Sequence, residues 1–478
     1  MLRIFKEKFN NSFKNISLDN LQLYLLFILL FILPLPISAN LPHIPLKTFI
    51  LTLFLTISLL FTLIKLLTNK TIRLPFHTAL SSFLIFLLIA IISTYFSQAK
   101  YFSLYANLSS SHSLISYILY FLTFLIILIN IEKDLLSKNL PLLIFIISLS
   151  IFINNLLLIL SLRYPFSYIV FSSLIEVIIF TSFHFLFALL ILTQKPKFIQ
   201  EKNSFNYFLK LLLIITLILD SIALIIFNFQ LIWLSLSIIF LLLIIHNLIY
   251  NINHAQNALY LFLTILFFLL YITSQEIGIF IFSKIPNLPQ EFRPNLFLSF
   301  NIAFNTLKTN PIIGTGPATF VYNWLKFRPP TLNLQNLESV RFDQGFNLPI
   351  TLITETGLLG FAIFLFFLFY TTLVLLTRLT TNENIYLTIP TLYLLITILF
   401  YSSYFIHLSF LFIFLGLVFL NETNYSTIHV SNTKKAKILT SLILIFSTIL
   451  ITTGLYYITK NFLAGIFYIK SLNEVSKK

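Results

Sequence analysis

Apolar stretches long enough to cross a hydrocarbon core of roughly 30 Å recur along almost the whole chain, and no other property of the sequence restricts the fold as severely. They fall near residues 21–38, 48–67, 78–96, 114–131, 140–161, 168–192, 207–227, 229–249 and 256–274, and again near 349–376, 386–402, 404–421 and 437–459. In lipid, backbone polar groups must be satisfied inside the segment or in a closed barrel, so runs of this length read as helices. The expected fold is all-α, a polytopic transmembrane helical bundle of about 12–13 spans with one large loop that contains amphipathic helices. Composition agrees: 58% of the 478 residues are hydrophobic and only 9% are charged, against roughly a quarter charged in soluble domains. With only 9 glycines in the chain to let backbones approach closely, helix packing is expected to rest on interlocking Leu, Ile and Phe side chains.

The Lys and Arg residues behind the net charge of +15 sit mostly in loops between the spans. Lys70 with Arg73, Lys133 with Lys138, Lys195 with Lys197 and Lys202, and Lys434 with Lys435 and Lys437 all follow even-numbered spans. Those loops and the amino terminus are therefore expected on the cytoplasmic side of a multi-pass cell-membrane protein. The chain divides into a cytoplasmic segment (residues 1–20), a membrane block (21–274), a large extracytoplasmic loop (275–348), a second membrane block (349–459) and a tail (460–478). The apolar run after Arg3, Lys6, Lys8 and Lys14 has no small-residue cleavage site and reads as a retained first span. Without cysteine, disulfide and thiolate chemistry are excluded, and no basic patch is interleaved with aromatics as nucleic-acid binding would require. The large loop nonetheless carries Lys284, Arg293, Lys308, Lys326, Arg328 and Arg341. Long loops translocate largely regardless of charge, so basic residues there suggest that an anion is bound.

Within the loop, Ser299 to Lys308 has a helical apolar spacing through Ile302, Ala303 and Leu307, ending at Asn310-Pro311. Pro311-Ile312-Ile313-Gly314-Thr315-Gly316-Pro317 follows. Gly314 and Gly316 permit a tight turn whose amides can face a phosphate or carboxylate; a turn that only ends the helix is the plainer reading. A second block opens at Phe346-Asn347 and runs through Leu352, Glu355, Gly357, Leu358, Leu359 and Gly360 into the tenth span. Glu355 there suits either chemistry or the positive end of a helix. Ionisable residues inside spans suggest function by default. Glu176 and His184 share a face of the sixth span and Asp220 lies in the seventh. They read as a buried pair or, for Glu176, as the lining of a glycan cavity. His246, His254 and His407 read as isolated, and no His and carboxylate grouping has metal-ligand spacing.

Taken together, the two blocks resemble the O-antigen ligase and O-antigen polymerase family of membrane glycosyltransferases. That family shows a proline, two apolar residues and Gly-x-Gly after an amphipathic helix, then a His-Asn pair leading to Leu-x-Glu-x-Gly-apolar-apolar-Gly at the start of a span. Both blocks occur here in that order within the largest outward loop, between Pro311 and Gly360. The chain departs from the family at Phe346, which stands where the family has its histidine, and at Leu296, which stands where an arginine is common; Arg293 lies one turn earlier.

The resemblance implies transfer of a glycan from a polyprenyl diphosphate carrier to a glycan, lipid or protein acceptor at the outer face, without a cofactor. Stabilising the leaving diphosphate asks for cations, and arginine matches phosphate oxygens best. The candidates are Arg293, Arg328 and Arg341, with Lys326 assisting. Glu338, Asp343 and Glu355 are the acids available as a base, with Asn347 beside them. The rival readings are a lipid-linked oligosaccharide flippase, for which no internal repeat is visible, and an inactive relative.

Overall fold

The structure is a computed structural model that describes residues 18–38, 43–69, 71–106, 111–163, 169–170, 173–201, 203–250, 254–285, 288, 291–330, 340–380, 384–420, 422–429, 454–471 and 474. Glu338, most of the amino-terminal segment and residues 437–453 of the thirteenth apolar run lie outside the described residues.

Helices form where uninterrupted Leu, Ile and Phe leave the backbone no competing hydrogen-bond partner. In chain order they are α1 (Leu18–Ile32), α2 (His43–Asn69), α3 (Thr78–Phe96), α4 (Lys100–Tyr105), α5 (Leu114–Asn130), α6 (Lys133–Arg163), α7 (Leu174–Gln194), α8 (Lys197–Gln200), α9 (Ser204–Phe227), α10 (Gln230–Ile249), α11 (His254–Lys284), α12 (Leu296–Thr309), α13 (Phe320–Phe327), α14 (Leu348–Thr380), α15 (Ile385–Phe400) and α16 (Phe405–Phe419). Residues 454–471 form a further helix. Among the described residues eight helices are long and apolar enough to cross a membrane, and α1, α5, α15 and α16 are shorter apolar helices. The protein is a polytopic membrane helical bundle.

One boundary moves. The ninth span, expected to end at 274, continues as α11 to Lys284. Its 31 residues reach about 46 Å at 1.5 Å per residue, more than the roughly 30 Å of a hydrocarbon core.

The interior is built from large rings, as the scarcity of glycine requires. α16 is buried along its whole length, with Phe412 against Phe83 (4.5 Å between ring centres) and Phe410 against Phe180 (4.6 Å). Charges inside the bundle are matched to helix ends and to each other. Lys47 donates to the carbonyls of Ile32, Leu33 and Leu35 at 3.2, 2.6 and 2.7 Å, at the negative end of α1. His184 Nδ1 lies 2.6 Å from Asp220 Oδ2 and its Nε2 3.0 Å from Ser148, while Asn155 donates to Asp220 at 2.5 Å. This network joins α6, α7 and α9, so the partner of His184 is Asp220 on another helix.

The two ends of the bundle differ. At one end strand β1 (Thr71–Phe76) pairs antiparallel with β2 (Asn424–His429), beside the ion pairs Lys65–Asp19 (2.6 Å) and Arg73–Glu132 (3.4 Å). The basic segments 71–73 and 132–138 thus collect together. The other end of α3, whose 19 residues span about 28 Å, meets the segment 311–317 and α14 through Ser93.

Candidate functional site

The two sequence blocks meet at a break in α14. Gly357 has φ 67° and ψ −171° in the middle of this helix, a conformation that only glycine adopts readily, and it divides α14 into two pieces. The segment from Pro311 to Gly316 seats itself in the gap. Leu358 and Leu359 donate their amides to the carbonyls of Pro311 (2.9 Å) and Ile312 (3.1 Å), which satisfies orphan donors at the start of the second piece. In return Thr315 and Gly316 donate to the carbonyls of Thr354 (3.2 Å) and Glu355 (2.8 Å) at the end of the first. Ser93 ties both sides, donating to Ile313 at 2.6 Å and to Glu355 at 3.0 Å. Gly314 also has positive φ, 68°, and a Cβ there would lie 2.5 Å from the Glu355 carbonyl.

This corrects one expectation. The amides of Thr315 and Gly316, read as facing a bound phosphate, are committed to carbonyls of α14. What this loop serves is the chain's own Glu355 carboxyl group, which is fully buried and takes the Phe320 amide at 3.4 Å, with the Ala318 amide also directed at it. Both amides belong to the start of α13, where a helix favours negative charge. The second carboxyl oxygen of Glu355 is buried without a hydrogen-bond partner among the described residues. Asp343, partly exposed, lies within electrostatic reach of it, so these two acids share the site.

Above the break the loop has its own small core of Ile302, Phe320 and Trp324, with Leu298, Phe327 and Phe342 packed on it. The Trp324 indole donates to the Val340 carbonyl at 3.0 Å. Lys326 and Arg328 therefore end α13 beside the segment on which Arg341 follows, and Lys326 and Arg341 are exposed. α12 turns Ser299 and Thr306 inward and leaves Phe297, Phe300 and Phe304 exposed, with Lys308 Nζ 4.6 Å from the Phe304 ring centre. An apolar stripe edged by lysine suits the membrane interface.

Two further expectations change. Arg293, expected among the phosphate ligands, braces the second block instead. It donates to the carbonyls of Phe346 (3.1 Å) and Phe400 (2.7 Å), pairs with Glu291, and lies 4.0 Å over the Phe346 ring and 4.5 Å over that of Tyr401. The Phe346 ring is thus a cation–π platform. Glu176, expected to line a glycan cavity, receives the first amides of α16, from Ile406 (2.7 Å) and His407 (3.1 Å), where a carboxylate offsets the positive helix end. Asn347 also has architectural bonds. Its oxygen accepts from Ile350 at 3.1 Å and its amide donates to Leu399 at 2.8 Å, which caps α14 and ties it to α15.

One functional candidate escaped the sequence reading. His112 lies in the segment before α5 and is fully buried. Its Nδ1 is 3.4 Å from the Tyr117 hydroxyl, and the ring faces the Gln344 side chain and the Ser403 carbonyl. Gln344, next to Asp343, also donates to Ser111 at 3.3 Å, and Ser111 donates to the Ser403 carbonyl at 3.0 Å. In the sequence His112 is one polar residue in a serine-rich stretch, with no spacing to mark it. A cavity of ≈ 480 Å3 between the α9–α10 turn and α11 is lined by Asn228, Gln230, Ser274, Gln275 and Glu291. Burial raises the Glu291 pKa, and Arg293 opposes the shift.

No model of a known protein family matches the chain, and no curated protein matches it.

Proposed function

We propose that the chain is a membrane glycosyltransferase of the O-antigen ligase and polymerase type, acting at the extracytoplasmic face of the cell membrane. One observation carries this reading. The blocks Pro311–Pro317 and Asn347–Gly360 are joined main chain to main chain around a buried carboxylate, under a loop that presents Lys326, Arg328 and Arg341. In the proposed reaction the acceptor oxygen forms a bond to the sugar's anomeric carbon. The bond from that carbon to the carrier oxygen breaks, and the electron pair leaves with the polyprenyl diphosphate. Cationic side chains stabilise the charge that develops on the leaving group, and Asp343 and Glu355 hold the acceptor hydroxyl.

Lys326→Ala, Arg328→Ala and Arg341→Ala are each expected to weaken binding of a polyprenyl diphosphate-linked oligosaccharide, and at least one to lower its transfer about tenfold or more. Lysine in place of either arginine restores only part, because a point charge lacks the bidentate fork. Full transfer rates in all three variants would remove these residues from the site.

Sidedness has its own test in this cysteine-free chain. With Arg341→Cys, a membrane-impermeant maleimide is expected to label intact cells; with Lys138→Cys, only lysed ones. The reverse pattern would invert the proposed orientation.

A second reading has one observation in its favour, since an interrupted membrane helix beside a buried carboxylate is also a device of transporters. Movement of a lipid-linked oligosaccharide across proteoliposomes without any transfer product would support it.

A further inference from the structure

Transfer to a hydroxyl requires that its proton go somewhere. Glu355 already accepts a backbone amide through one oxygen, and Asp343 is partly exposed to water. A further titratable group beside the second block is His112. It is held from α5 by Tyr117, which stands within electrostatic reach of Glu355. It is held from the loop by Gln344, and from the 401–404 turn by Ser403. Among the described residues, His112 Nε2, Gln344 Oε1 and the Ser403 hydroxyl are buried without a hydrogen bond of good geometry. The imidazole and the Gln344 side chain that faces it thus each keep a buried polar atom that a hydroxyl-bearing ligand would complete, because buried polar groups are ordinarily paired. Gln344 is buried and its neighbour Asp343 is partly exposed, so the loop segment that meets the imidazole also reaches solvent.

Resting on the glycosyltransferase reading, we propose that His112 is the catalytic base, whose Nε2 takes the proton of the acceptor hydroxyl as that oxygen bonds to the anomeric carbon. For this the imidazole carries its own proton on Nδ1, donated to the Tyr117 oxygen, which leaves Nε2 with its lone pair. The resulting imidazolium passes its proton to the departing diphosphate or to water. Burial lowers the His112 pKa to about 4, so at neutral pH the ring is in the form that can accept a proton. The diphosphate's negative charge, brought close by donor binding, favours the protonated ring and strengthens the base when it is needed.

The test uses the full chain in proteoliposomes with a polyprenyl diphosphate-linked oligosaccharide and a soluble acceptor. His112→Gln and His112→Asn, which keep a hydrogen-bonding side chain, are expected to lower kcat by about 100- to 10,000-fold. The donor KM should stay within about threefold of native. His112→Gly is expected to recover transfer at least about tenfold when imidazole is added, which a purely structural residue would not allow. A native kcat in His112→Gln, or no recovery by imidazole in a folded His112→Gly, would overturn the assignment and leave the glycosyltransferase reading standing. Absence of transfer by the native chain with any such donor would overturn both.

Discussion

Gly357→Ala is expected to be among the most disruptive single substitutions in the chain. Its φ of 67° disfavours any side chain, and the added Cβ would meet the Ile312 carbonyl and lie 2.5 Å from the Gly314 nitrogen, both main-chain atoms that cannot swing aside. Left-handed strain for a residue other than glycine costs of order 1–3 kcal/mol, and with the clash the total should exceed about 3 kcal/mol. The loop would leave the break in α14, freeing the amides of Leu358 and Leu359 and the carbonyls of Thr354 and Glu355. Gly314→Ala breaks the same seat, so the double variant should lose much less than the sum of the two. Gly278→Ala is the control, since a Cβ there meets nothing nearer than 3.6 Å. Thermal unfolding in detergent, with proteolysis at Lys308 in membranes, reads both effects. Native stability in Gly357→Ala would contradict the docking geometry.

Glu355→Gln is expected to separate shape from charge. Glutamine keeps an oxygen for the Phe320 amide, so the fold should survive with a modest loss of stability. The acid that faces Tyr117 and Asp343 disappears, and transfer should fall about 100-fold or more. Glu355→Ala leaves the amides at the start of α13 without an acceptor in a buried place, at about 1–3 kcal/mol, and should lower the unfolding temperature as well. Comparing kcat with the unfolding temperature of the two variants checks the distinction. If Glu355→Gln transfers at the native rate, Glu355 is a fold keystone alone.

The spans were legible because hydropathy acts locally: an apolar run long enough to cross lipid must close its hydrogen bonds within itself. The two glycine-bearing blocks were legible as motifs, and so was the need for a tight turn at Gly314 and Gly316. What the turn's amides bond to was not, because Thr354 and Glu355 lie some forty residues away in the chain and only packing brings them there. Long-range partners explain the other shifts. Arg293 reads as a free cation until the Phe400 carbonyl and the Phe346 and Tyr401 rings close around it. Glu176 reads as an intramembrane site residue until α16 sets its first turn against it. His112 was invisible because its neighbours Gln344 and Ser403 come from two distant segments.

The central claim is that the joined blocks form a glycan-transfer site, and purified protein in proteoliposomes tests it most directly. A radiolabelled polyprenyl diphosphate-linked oligosaccharide is supplied with a panel of glycan, lipid and peptide acceptors, and both the elongated acceptor and the released polyprenyl diphosphate are measured. The account predicts the two products in equal amounts from the native chain, and at least about 100-fold less of both from Glu355→Gln. Intact donor across the whole panel, with the protein folded and the donor bound, would contradict it and favour an inactive relative.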